Sequence, residues 1–467
     1  QLVARANRRG LRVSIPLLFQ RQTISELAEA AVCIDQVETA HGGDATGDGD
    51  FPLAPVQRWF FDQDFADPHH FNQAVMLETP PDARPDALEE AFRRVTSLHG
   101  ALRLRMVRTG GEWRQTFAQE ETHRIFSTAD INDMDAVLGK VHASLDFSEG
   151  PVIRACLFRP GEVEAPGRLA IIAHHLAVDG VSWRILLEDL ESAYRRATGW
   201  LEAPPPEEKT APFATWAEKM TAYAASGAAL EELPYWRGVL EDASPDIPLD
   251  FDMADGKNTA ASAQSVLTEF GEEETRFLLR ELPSAHDVRV PEAILAAVLT
   301  AFREWTGGGG LRVDLEAHGR DALPGDLDVS RTVGWFTSIY PVALKARSSR
   351  PEDAVAAVRE SLRRVPRNGA GFGVLRRMGG DGAHPALADD FPSRVVFNYL
   401  GSFDHSLPSR GMLRFAKEPA GVAVSPRNKR TCLIEINGLV LEGRLRLSWT
   451  YSEDLHKPST IRAVAEG

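Results

Sequence analysis

A tandem histidine, His174-His175, closes the apolar run Leu169–Ala173, and a short turn through Asp179 and Gly180 leads on to Ser182-Trp183. Histidine is the side chain best suited to proton transfer near neutral pH. Neighbouring residues of an extended chain face opposite ways, so one imidazole can face a cleft while the other packs or braces the loop. Taken alone, the pair fits a packed core better than it fits acid–base chemistry. A metal is the weaker reading, because no third ligand stands at useful spacing and no HExxH is present. A second cluster, Glu316-Ala317-His318-Gly319-Arg320-Asp321, sets a carboxylate, an imidazole and a guanidinium around a turn glycine. Charges at strand ends are commonly solvated, so this cluster too says little in isolation.

Three further segments stand out: Arg331–Pro341 with Trp335, Phe336 and Tyr340; Pro366–Gly373; and Phe397–Asp404 with Asn398 and Tyr399. The glycines of Pro366–Gly373 look like a phosphate loop only superficially. They follow no strand and lack the Lys-Ser/Thr ending, which speaks against nucleotide binding.

These residues need elements to hold them. Leu169–Ala173 reads as a buried strand feeding the histidines. Trp183, Leu186, Leu187, Leu190 and Tyr194 recur at helical spacing and predict a helix over 181–197. Residues 87–98 read as an amphipathic helix, and 71–77 and 152–158 as strands. In the second half the pattern predicts a helix over 291–305 with Pro at its first turn, and strands over 311–316, 395–400 and 439–451. Pro204, Pro205 and Pro206 mark a rigid loop, and a boundary near Ala225 divides a first lobe, 51–225, from a second, 226–467. Residues 1–31 carry short apolar helical patterns too small for a domain. Residues 32–50, with four glycines between His41 and Asp50, read as a flexible linker.

With 467 residues the chain suits about three domains or two large lobes. A net charge of -15 argues against a nucleic-acid binder. The 3 cysteines, Cys33, Cys156 and Cys432, lie far apart and suggest reduced thiols in the cytoplasm. No apolar stretch approaches the roughly 18 to 20 residues that span a bilayer, and no secretory signal opens the chain. It begins at Gln1 within a helical pattern, as a piece of a longer polypeptide would.

In their order, these segments resemble the epimerization domain of nonribosomal peptide synthetases, within the condensation-domain superfamily. Pro55-Val-Gln57-Arg-Trp59-Phe60 resembles the first family motif. His174–Trp183 resembles the second, with the Ser-Trp ending typical of epimerization rather than condensation. Asp189–Tyr194, Glu316–Asp321, Arg331–Pro341, Pro366–Gly373 and Phe397–Asp404 resemble the third to seventh. The likeness covers roughly residues 51–465. Ala317 and Phe372 depart from the commoner Gly and Tyr, and neither titrates. Residues 1–31, through Leu11-Arg-Val, Leu18-Phe19 and Thr23–Ala28, resemble the last helices of a peptidyl carrier protein, without the serine that takes phosphopantetheine.

The resemblance implies a mixed α/β, chloramphenicol-acetyltransferase-like fold, a V-shaped pseudo-dimer of two lobes with a tunnel between them. It implies L-to-D inversion at the α-carbon of an aminoacyl or peptidyl thioester on a carrier's phosphopantetheine arm. His175 and Glu316 are the implied acid–base pair, working without an intrinsic cofactor or metal. His174 braces the loop, Asp179 and Arg320 form a structural ion pair, and Asn398 and Tyr399 are candidate enolate stabilisers. Trp183 and Trp335 read as packing. The expected partners are a peptidyl carrier protein and neighbouring synthetase modules, with no nucleic acid and no membrane, and the expected state is monomeric. Basic clusters at Arg359–Arg367, Arg376-Arg377 and Arg427–Arg430 suit either solvent or an acidic partner. A condensation domain shares the tandem histidines, and a catalytically silent carrier-docking module is the alternative outside enzymes. Ser182-Trp183, Glu316 and Asn398–Gly401 favour epimerization.

Overall fold

Apolar runs in both halves fold as strands of two mixed sheets, each flanked by helices. The computed structural model describes residues 49–161, 165–200, 210–242, 244–252, 258–321, 327–348, 350–378, 387, 393–404 and 411–467, with residues 11–12, 28 and 32–33 ahead of them. Of that leading part, β1 (Leu11–Arg12) pairs antiparallel with β2 (Val32–Cys33). The carrier-like helices, most of the linker and the proline loop lie outside the described residues.

In the first half, helix α1 (Pro55–Asp62) precedes β3 (Asn72–Thr79) and α2 (Pro85–Leu98). A hairpin of β4 (Leu104–Thr109) and β5 (Glu112–Phe117) leads to β6 (Phe126–Asp130) and β7 (Ile153–Arg159). Next come β8 (Gly167–His174), α3 (Gly180–Ala197) and α4 (Phe213–Ala225). β8 is buried along almost its whole length, as a central strand covered on both faces must be. It lies between β3 and β7, antiparallel to each. α3 lays its apolar stripe of Trp183, Leu186, Leu187, Leu190 and Tyr194 into the core and packs on α2.

The second half holds β9 (Ala263–Glu269), α5 (Val290–Thr306), β10 (Gly310–Ala317) and β11 (Ser338–Lys345). α6 (Pro351–Arg364), α7 (Ala370–Arg377) and β12 (Ser393–Ser402) follow. Last come β13 (Arg414–Phe415), β14 (Cys432–Leu441) and β15 (Arg444–Ser452). The six-stranded sheet runs β11-β10-β12-β14-β15-β9, and the five-stranded sheet of the first half runs β13-β3-β8-β7-β6.

Two expectations need correction. Residues 439–451 are not one strand but the meeting of β14 and β15, turned at Glu442-Gly443, where φ is 54° and 70°. Two consecutive positive φ values suit the tight hairpin turn that matches strand twist. The turn pairs Val440 with Leu445 and Leu441 with Arg444. Leu439 and Leu441 therefore face the opposite way from Leu445, Leu447 and Trp449, though all five are odd-numbered. The second correction concerns residues 226–467, which do not all stay in the second sheet. β13 crosses over and pairs with the edge of β3, Arg414 against Glu78 and Phe415 against Leu77. One hydrophobic core runs through both halves.

Candidate active site

His174 and His175 part ways as the alternation requires. His174 is fully buried. Its ring meets Phe60 and Phe147 edge-on. Its Nε2 lies 2.8 Å from the Pro68 carbonyl, and its Nδ1 accepts the Leu176 N–H at 3.2 Å. Burial pushes its pKa down to about 3, so it is a neutral brace of the loop. His175 remains partly exposed while deep in the protein. Trp335 lies over its ring at 4.2 Å and Phe71 stacks at 5.7 Å. Its Nδ1 lies 2.9 Å from the Val178 carbonyl. Burial also lowers its pKa, partly opposed by backbone hydrogen bonds and Asp179.

Asp179 caps α3. Its Oδ1 accepts the Ser182 N–H at 2.7 Å, and its Oδ2 accepts the Phe336 N–H at 3.2 Å. Arg320 from the second lobe closes on it at 3.0 Å, both side chains nearly buried. The same guanidinium donates to the carbonyls of Val329 and Thr332 and covers the Phe336 ring at 4.1 Å. The Ser182 hydroxyl completes the clasp, 2.9 Å from the Gly334 carbonyl and accepting the Gly334 N–H at 3.1 Å. Gly319 has to be glycine: its φ is +65°, and a Cβ there would meet the Phe336 carbonyl oxygen at 1.8 Å.

Glu316 lies near the end of β10, beside Ile339 of β11. Its carboxyl is partly exposed yet enclosed by protein, and its pKa is pushed up to about 7. Burial is the main cause, with Glu435 and Asp314 adding like charge. Asn398 of β12 donates its amide to Glu316 Oε2 at 2.9 Å. Tyr399, one residue on, falls on the opposite face of that strand, its ring close to Gly438. Burial raises its pKa, and Arg184 pulls it back. Of the two candidate enolate stabilisers, only Asn398 reaches Glu316.

One segment links the two halves of this arrangement. Trp335 covers His175, and three residues later Ser338 starts β11 beside Ala317 and Glu316. The sequence reading missed Gln73, whose amide meets His175 Nε2 at 2.8 Å. The neighbouring amides Asn72-Gln73, just ahead of the apolar run Ala74–Leu77, were the available signal. Trp183 does more than pack, since its indole N–H donates to Gln73 at 2.7 Å.

Other expectations find different places. In Pro366–Gly373, Gly371 gives room to the buried Glu232 carboxylate, which a Cβ would meet at 1.9 Å. Much of the basic character is internally paired: Arg359 with Asp287, Arg377 with Asp62 and Arg427 with Asp67. Cys156 and Cys432 are buried free thiols. Among the described residues no cluster of His, Cys, Asp and Glu is placed to hold a metal, and no helix is long and apolar enough to cross a membrane.

A profile of the condensation domain matches residues 48–467. A linear gramicidin synthase of Brevibacillus parabrevis is 37% identical over 480 residues, covering 100% of this chain and 6% of that protein. Chondramide synthase cmdD of Chondromyces crocatus is 36% identical over 482 residues, covering 100% of this chain and 12% of that protein. The chain therefore spans only a small part of the curated relatives it matches. Among solved structures, the epimerization domain from the third module of tyrocidine synthetase B superposes with a TM-score of 0.82 at 31% identity, covering 90% of this chain and 94% of that one. The X-domain from teicoplanin biosynthesis shares the fold alone, with a TM-score of 0.67 at 20% identity over 89% of this chain and 92% of that one.

Proposed function

The chain belongs to the condensation-domain family, and from that premise we propose that it epimerizes the α-carbon of an aminoacyl or peptidyl thioester carried on a phosphopantetheine arm. Its fold is the mixed α/β, chloramphenicol-acetyltransferase-like one of its neighbours. The observation that carries the proposal is a carboxyl group on the second lobe, Glu316, held near pKa 7 and oriented by Asn398. A condensation reaction has no evident use for that group. An inversion needs it, because one proton must leave one face of the α-carbon and another must arrive at the opposite face.

In the forward step His175 takes the α-proton at Nε2, and the C–H electron pair passes into the thioester enolate. The Glu316 carboxylic acid then protonates the other face and becomes carboxylate. The reverse reaction exchanges the two roles. The thioester makes the α-proton acidic enough that a positioned base, contributing about 10²–10⁴ in rate, completes the task. The substrate arrives on a peptidyl carrier protein of the same synthetase, and carrier-like residues 1–31 precede a first lobe at 51–225 and a second at 226–467, apart from the β13 crossover.

The test offers carrier-loaded L- and D-substrates in deuterated buffer. Inversion from either enantiomer, with deuterium at the α-carbon, supports the reading. Peptide-bond formation with a second loaded carrier and no inversion would assign condensation instead. Neither reaction would leave a docking module.

A further inference from the structure

One side chain, Gln73 near the start of β3, stands between Trp183 of α3 and the His175 imidazole. An indole N–H only donates, so the Gln73 atom 2.7 Å from it is the amide oxygen. That fixes the amide, and its nitrogen faces His175 Nε2 at 2.8 Å. An amide nitrogen also only donates, so Nε2 accepts. Across the ring, Nδ1 meets the Val178 carbonyl at 2.9 Å, and a carbonyl only accepts. Both ends of the ring therefore require the proton on Nδ1 and the lone pair on Nε2.

We propose that Gln73, oriented by Trp183, is a positioning residue that holds His175 in the neutral, Nδ1–H form and so sets the resting enzyme to remove the α-proton through His175 and return one from Glu316. This rests on the two-base reading above. The arriving C–H displaces the amide N–H from the lone pair. Once Nε2 has taken the proton, its N–H and the Gln73 NH2 would be two donors facing one another. The amide cannot turn over to accept without setting its NH2 against the Trp183 N–H. The imidazolium is therefore short-lived. Each forward turnover breaks one C–H and the Glu316 O–H and forms one N–H and a new C–H, and the pair resets by exchanging protons with solvent. The rings over His175, Phe71 and Trp335, are uncharged. The titratable groups coupled to it, His174 and Asp179, lie on its own segment.

The experiment uses the full chain labelled with 15N-histidine, the His175 signals being assigned by their loss in His175→Ala. At neutral pH and without substrate, Nε2 is expected to give the shift of an unprotonated acceptor and Nδ1 that of an N–H. Gln73→Glu replaces the donor with an acceptor of the same shape and should protonate Nε2. Its rate from the enantiomer deprotonated by His175 should fall more than the rate from the other. Gln73→Leu should lower kcat roughly 10- to 100-fold by loosening the ring. Trp183→Phe keeps a ring in place but frees the amide, and combined with Gln73→Leu it should cost no more than Gln73→Leu alone. An unchanged Nε2 signal in Gln73→Glu, or losses that multiply in the double mutant, would overturn the assignment. The nitrogen shifts are read without turnover, so their failure is distinct from a failure of the epimerase reading, which shows in the wild-type reaction.

Discussion

Glu316 is costly to the fold because its carboxyl is enclosed by protein. Its carboxyl holds a proton in the folded chain up to about pH 7, against an ordinary value of 4.5. Between those values the folded state binds more protons than the unfolded, so this group lowers stability as pH rises through the window and levels off above it. The span corresponds to on the order of 3 kcal/mol. Glu316→Gln should therefore be more stable than wild type at pH 8, and about equal to it near pH 4, in urea titrations at the two pH values, while inversion is lost. A mutant no more stable at pH 8 would contradict the burial argument. His174 acts in the opposite sense: its pKa falls from 6.5 to about 3, so its part of the stability is lost on acidification through that range. Asp179→Asn leaves Arg320 facing a weakened partner in a nearly buried clasp. It should cost up to about 3–5 kcal/mol and slow both directions of inversion together. Slowing of one direction only would give Asp179 a chemical role. The Asp179–Arg320 pair was legible because its residue types and order matched a family pattern. Gln73 was not, because an amide in a strand carries no signal until its hydrogen-bond partners are known.

At the scale of elements, the amphipathic helix over 181–197 was legible within one residue of α3, since its apolar stripe is forced by the core it covers. The β14–β15 hairpin was not, because a tight two-residue turn leaves the odd–even alternation of the sequence unbroken while reversing which face it describes. The clasp between α3 and the loop before β11 offers two tests. Ser182→Ala removes a buried hydroxyl that joins Asp179 to Gly334 and should cost about 1–3 kcal/mol in urea unfolding. Gly319→Ala adds a Cβ at a positive φ and against the Phe336 carbonyl. The backbone conformation alone costs roughly 1–2 kcal/mol. The displaced Phe336 N–H would also leave Asp179, so melting temperature and kcat should fall together. A Gly319→Ala protein with native activity would show that this turn does not set the Arg320 geometry.

Across the whole molecule, the crossover is one of the ties that make two lobes one unit, beside the shared core and the Asp179–Arg320 clasp. Buried Glu191 of α3 accepts the backbone N–H groups of Met412 and Leu413 at 2.8 and 3.2 Å. Arg168 of β8 meets Glu418 at 2.7 Å, and His142 reaches the Ala420 carbonyl at 2.8 Å. Residues 51–225 expressed alone should therefore lack a cooperative unfolding transition, whereas adding a peptide of residues 411–425 should restore part of it. A fully cooperative fragment on its own would show the crossover to be dispensable. The two-residue β13 was too short to announce itself in the sequence. The crossover also fixes a timetable for synthesis. The first sheet has its β8 strand when His174 emerges, yet its edge partner β13 comes about 240 residues later. At roughly 5–20 residues per second a ribosome takes on the order of 10 to 50 seconds to supply it. Throughout that interval the nascent chain presents the outer edge of β3 unpaired, so the first sheet stays open on that side until most of the second lobe has been made.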